Sequence, residues 1–230
     1  MLVLVVFLVL LGTTCLPGGG EANNNVQEVH TILPYHQLMT PKWIHDHATL
    51  TTPHALYSQY IEFPSGISYE RMLRQQLVPP NVLSSTDSVV VTITVAMDTQ
   101  VANSADHDLQ IGISDEASFV GFLAYDKDNY PSLSPCVLRE ADISTGILQN
   151  GAGGSGPLVA SRRYSGEIKI HIRPTEKWGS CHTEHDAGYT NIANYQRLLD
   201  LTKGLYLEMY RHSPLEKYRI KYIVVDIYLD

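Results

Sequence analysis

The sequence predicts an all-β protein: an antiparallel two-sheet sandwich with one short helix, filling a single domain over residues 23–230. Apolar and polar residues alternate with period two in several separate stretches, the pattern of strands that bury one face. Gly, Pro, Asn and Asp punctuate the chain between those stretches, as turns require. Helical periodicity is scarce, and about 200 residues in one domain is ordinary for a β-sandwich.

Leu2–Leu11 (LVLVVFLVLL) is an unbroken apolar run. At about 1.5 Å per residue it is too short to cross a bilayer as a helix, and it has the length of a signal-peptide core. No Lys or Arg precedes it, but small residues between Gly12 and Ala22 offer cleavage positions. A signal peptide over residues 1–22 and secretion are therefore expected, with no membrane span in the mature chain. Ser68–Leu77 is the best helical stretch. Ser68 can cap it, Tyr69, Leu73 and Leu77 fall on one stripe, and Pro79 and Pro80 stop it.

Strands follow. Ser88–Met97 is rich in β-branched residues and apolar at Val91, Ile93, Val95 and Met97; Leu109, Ile111 and Ile113 repeat the rhythm. Phe119–Tyr125 (FVGFLAY) should be buried on both sides, with Gly121 admitting a close backbone neighbour, and should pair with the preceding strand through the turn Ser114–Ala117. In Glu167–Arg173, Ile168, Ile170 and Ile172 alternate with charged residues and His171. Gly204–His212 and Tyr218–Leu229 read as a terminal hairpin around Ser213–Glu216.

With 24 acidic against 16 basic residues and a formal charge of −8, the chain lacks the clustered cations that nucleic acid requires, so no nucleic-acid partner is expected. Of three cysteines, Cys15 leaves with the signal, and Cys136 and Cys181 are expected to be bridged in an oxidising compartment. No C-x-x-C occurs, which removes thioredoxin-type redox chemistry and ordinary zinc-finger spacing.

The order of elements, with IGISD at Ile111–Asp115, FVGFLAYD at Phe119–Asp126 and the closing pair GLYLEMYR and YRIKYIVVDIYL, resembles the concanavalin A-like and laminin-G-like jelly rolls of secreted invertebrate proteins. The resemblance covers about Ser88–Leu229. It implies a jelly-roll sandwich and ligand recognition at loops or on the concave sheet; it carries no site residue across, and fold alone does not establish function.

Candidate chemistry is sparse. Acidic residues gather in three loops: Asp106 and Asp108; Asp115 and Glu116; and Asp126, Asp128 and Asn129. Hard oxygens at alternating positions suit Ca²⁺, although no complete EF-hand is present and solvated turn acids account for the same residues. The run CHTEHD, with His182, Glu184, His185 and Asp186, has transition-metal donors, but a polar surface loop held by the disulfide is the better reading. His45, Asp46 and His47 form a second small cluster of the same kind. Hydrolase signatures fail: Gly153–Gly156 runs into Pro157 instead of completing a nucleophile elbow, and no E-x-D-x-E pair of catalytic carboxylates occurs.

Tyrosine is abundant, 14 residues against 4 Phe and 2 Trp, so many rings must present a hydroxyl to solvent or a partner. Tyr206, Glu208, Tyr210 and His212 share one strand face, away from Leu205, Leu207 and Met209. Such a face can stack on a sugar or bind a protein; a solvated face or a second buried layer explains it as well. The expected function is a secreted, lectin-like recognition module that binds an extracellular ligand such as a glycan without catalysis. The alternatives are a self-associating extracellular structural module and a secreted carbohydrate-active hydrolase.

Overall fold

The computed structural model describes residues 35–67, 70–100, 109–124, 136–142, 147–150, 165–183, 191–194, 198–211 and 217–229. Among them, the strands in chain order are β1 (Tyr35–Met39), β2 (Thr49–Leu50), β3 (Ala55–Leu56), β4 (Ile61–Phe63), β5 (Arg71–Val78), β6 (Val89–Gln100), β7 (Leu109–Ser114), β8 (Ser118–Ala124), β9 (Cys136–Asp142), β10 (Ile147–Asn150), β11 (Ser165–Arg173), β12 (Trp178–Thr183), β13 (Asn191–Asn194), β14 (Leu205–Arg211) and β15 (Lys217–Leu229). They form two antiparallel sheets. One has the order β13-β12-β11-β6-β15-β4-β3, with β1 also paired to β15; the other, seven-stranded, has the order β10-β9-β8-β7-β14-β5-β2.

The period-two stretches supply the inner faces. Val91, Ile93, Val95 and Met97 of β6 and Ile168, Ile170 and Ile172 of β11 are buried in one core with Leu109, Ile111 and Ile113 of β7 and Leu205, Leu207 and Met209 of β14. Each such side chain contributes roughly 1.5–3 kcal/mol by leaving water. In β15 the buried positions change parity, from Tyr218 and Ile220 to Ile223, Val225 and Ile227, because the register against β6 shifts between Ile220 and Tyr222. Lys221 lies in that bulge and reaches Asp98 at 3.3 Å.

Two expectations are corrected. Ser68–Leu77 is not a helix: Arg71–Val78 is strand β5, paired with β14 and β2. A spacing of four residues, as between Leu73 and Leu77, satisfies a strand as readily as a helix, and a short apolar run does not distinguish them. The helix of the described residues is instead α1, Pro41–His47, where Thr40 accepts from Trp43 N at 3.4 Å and Pro41 opens the first turn. The last two strands are not a hairpin either, since β14 belongs to the seven-stranded sheet and β15 to the other. Both carry an apolar inner face, so they stack across the core instead of sharing a ladder. The turn once expected between them lies outside the described residues.

The β7–β8 hairpin forms as expected. Gly112 and Gly121 are direct partners in it, and a Cβ on Gly112 would stand 2.2 Å from the Val120 carbonyl oxygen. A Cβ on Gly121 would meet the Phe119 ring at 2.5 Å. The two bare positions let strands close up and give the Phe119 ring room.

Candidate functional site

Alternation along β14 turns Leu205, Leu207 and Met209 into the core and sends Tyr206, Glu208 and Tyr210 to the outer face of the seven-stranded sheet. Strands β5 and β7 flank β14, and their registers complete the surface. Arg71, Tyr210 and Gln110 form one cross-strand row, Arg74, Glu208 and Gly112 the next, and Gln76, Tyr206 and Ser114 the third.

Glu208 is the centre. It is fully buried, with Arg74 Nε at 3.3 Å and Arg71 Nη1 at 3.6 Å from its Oε1, while the Tyr210 hydroxyl donates to its other oxygen. Arg74 stacks on Tyr206, its guanidinium carbon 3.9 Å from the ring centroid. Phe119 meets Tyr210 edge-on at 5.3 Å. Burial and the Glu208 charge push the Tyr210 pKa well above that of a free phenol, so its hydroxyl stays protonated and acts as a donor rather than a base.

Gln110 and Ser114 are both 0% exposed, and Gln110 Oε1 and Nε2 and Ser114 Oγ have no hydrogen-bond partner among the described residues. An unsatisfied buried polar group costs about 1–3 kcal/mol. These three atoms lie along one strand, beside half-buried Tyr206, Tyr210, Arg71 and Arg74.

Of the four residues expected on this face, Tyr206, Glu208 and Tyr210 stand together, and His212 lies outside the described residues. Sequence reasoning missed Arg71, Arg74, Gln110, Ser114 and Phe119. Arg71 and Arg74 are three apart, which on a regular strand means opposite faces; the register shift at Met72 puts both beside Glu208.

The acidic set divides. Asp106, Asp108, Asp126 and Asp128 lie outside the described residues. Asp115 sits in the β7–β8 turn, where Oδ1 accepts from Ala117 N and Ser118 N at 2.6 Å each and Oδ2 accepts from Asp200 N at 2.7 Å. It ties the turn to the segment before β14. The chain neighbours of the other acids, Leu109 and Ala124, pair at the far end of the hairpin, about 17 Å away at 3.3–3.4 Å per residue. Among the described residues no group of three or more His, Cys, Asp or Glu side chains could hold a metal ion.

The remaining clusters resolve as follows. Cys181 and His182 belong to β12 rather than a loop, and Glu184–Asp186 lie outside the described residues. Lys42 bonds to Asp46 on α1 and holds that carboxyl below its usual range. His54 Nδ1 lies 3.2 Å from the Thr52 carbonyl, which only accepts, so Nδ1 donates there, and His54 Nε2 lies 3.1 Å from His45 Nδ1. Cys136 opens β9, which faces β12 across the sandwich.

No family model matches the chain, and no curated protein does. Solved structures do match in fold. The exoplasmic/lumenal domain of VIP36 in its Ca²⁺/Man-bound form is 10% identical, with 80% of this chain and 83% of that chain covered at a TM-score of 0.49. Peanut lectin with a 9mer peptide is 10% identical, covering 86% and 99% at 0.47. An alginate lyase of polysaccharide lyase family 7 is 12% identical, covering 80% and 83% at 0.43. These likenesses concern the fold alone.

Proposed function

We propose that the protein is a secreted, non-catalytic recognition module that binds a glycan on the outer face of the seven-stranded sheet. The observation that carries this is the pair Gln110 and Ser114, buried without partners beside the rings of Tyr206 and Tyr210. Sugar hydroxyls donate and accept at once, which is what an unpaired amide and hydroxyl need, and aromatic rings pack on the apolar faces of pyranoses. A non-catalytic role is supported by the state of the polar groups: Glu208 is enclosed by two arginines and Tyr210, and Tyr210 is held protonated.

Binding to an immobilised glycan should exceed binding to the free sugar, since ring stacking with a few polar contacts is weak per site and gains from multivalency. Tyr206→Ala should weaken it about five- to tenfold, the size of one aromatic contact, with the melting temperature little changed because this ring is partly exposed. Unaltered glycan binding by a folded Tyr206→Ala protein would remove the face from consideration.

Secretion rests on the Leu2–Leu11 run. N-terminal sequencing of the extracellular product should find a start between Leu16 and Asn23; Met1 retained there would refute it. A Ca²⁺ site is proposed on Asp106, Asp108, Asp126 and Asp128, without Asp115, whose oxygens already serve backbone N–H groups. Melting should shift upward in about 10 mM Ca²⁺, near the weak end of protein affinities, and Asp126→Asn or Asp128→Asn should abolish the shift. An unchanged wild-type curve would dismiss the ion.

A further inference from the structure

We infer that the glycan is acidic, its anionic group docking against Arg71 and Arg74; this rests on the reading that the outer face of the seven-stranded sheet binds a sugar. Three charged groups meet there. Two are guanidiniums and one is a carboxylate, so Glu208 leaves one positive charge of the trio uncompensated.

Glu208 does not saturate the arginines. The Nε atoms of Arg71 and Arg74 make no hydrogen bond, although Arg74 Nε stands 3.3 Å from the carboxylate. The contact is Coulombic and poorly aligned, unlike the two-pronged pairing a guanidinium makes with a free carboxylate or sulfate. Those Nε atoms are buried, but the two side chains as wholes keep 31% and 27% of their surface, so a guanidinium edge is open to solvent on each. The Tyr206 ring fixes the plane of Arg74, so less side-chain freedom is lost when an anion binds. Gln110 and Ser114, in the adjoining strand, then meet the hydroxyls of the same sugar.

The formal charge of −8 on the whole chain opposes anions. It opposes them weakly at this site, because beyond about 8 Å in physiological salt distant charges are screened while contact pairs are not. The balance favours a ligand that presents one anionic group to the arginine pair.

The test measures binding of the full chain to immobilised polygalacturonate, which carries carboxylates, to heparin, which carries sulfates, and to neutral dextran. Either acidic polymer should bind roughly tenfold or more tighter than dextran, the size of a charge-assisted bond. The preference should fade as NaCl rises from about 0.05 to about 1 M. Which acidic polymer binds identifies the anion. Arg74→Gln should remove the preference, and Glu208→Gln, which takes away the competing internal carboxylate, should enlarge it. The opposite signs separate charge recognition from loss of fold, so the inference stays testable if one variant folds poorly. Dextran bound as tightly as the acidic polymers overturns the acidic preference and leaves glycan recognition standing. Absence of binding to all three overturns the glycan reading itself. Lys169→Ala alters an exposed cation on the other sheet, and an equal loss there would expose the effect as non-specific and overturn the assignment.

Discussion

Gly112→Ala should lower the melting temperature by about 6–12 °C, corresponding to roughly 3 kcal/mol in a protein of this size. The added methyl carbon would stand 2.2 Å from the Val120 carbonyl oxygen and 2.4 Å from the Gly121 Cα. Both obstacles are backbone, so no side chain can swing aside, and relief requires β7 and β8 to part. Most overpacking costs 1–3 kcal/mol where side chains can adjust, and this position belongs at the top of that range. Thermal denaturation followed by circular dichroism decides it: an alanine variant melting within a degree or two of wild type would mean that the strands are not so close. The site shares the consequence. Gly112 lies directly across from Glu208 and pairs on its other side with Gly121, which is the position beside the Phe119 ring that packs on Tyr210, so glycan binding should fall with stability in this variant but not in Tyr206→Ala.

Where one face of a strand is apolar, the sequence announces it. The isoleucines of β11, the alternation of β6 and the Tyr206, Glu208, Tyr210 face of β14 were all legible because period two holds along each strand. Legibility failed wherever the ladder slips by a residue. The bulges at Met72 and near Lys221 reverse which side chains face out, and the first of these hid Arg71 and Arg74. Gln110 and Ser114 were missed for another reason: between Leu109, Ile111 and Ile113 they read as the solvent side of a strand, whereas every residue of β7 is buried. Which strands pair is also absent from local pattern. Consecutive strands β14 and β15 suit a hairpin or two facing sheets equally well, and the choice is made by partners far away in sequence, β7 and β5 for one and β6 for the other. The short helix could have been read from Thr40 followed by Pro41, a cap and a first-turn residue in the right order.

The second large effect should come from the cysteines. Cys136 and Cys181 are proposed to form a bridge between the sheets, and two features support it: β9, which Cys136 opens, faces β12 across the core, and Cys181 of β12 is fully buried. Closing a loop of about 45 residues restricts the unfolded chain by about 4 kcal/mol in the chain-entropy account, an upper figure because native strain and residual structure reduce it. Cys181→Ser should therefore lower the melting temperature by up to about 8–16 °C. Reductant should lower wild type by a similar amount and leave the serine variant unaffected, which separates the bond from the packing of a buried sulfur. Alkylation before and after reduction, read by intact mass, tests the linkage itself. Two thiols should appear only after reduction; two thiols that react freely in the native protein would refute the bridge, and the stability of the sandwich would then rest on its apolar core alone.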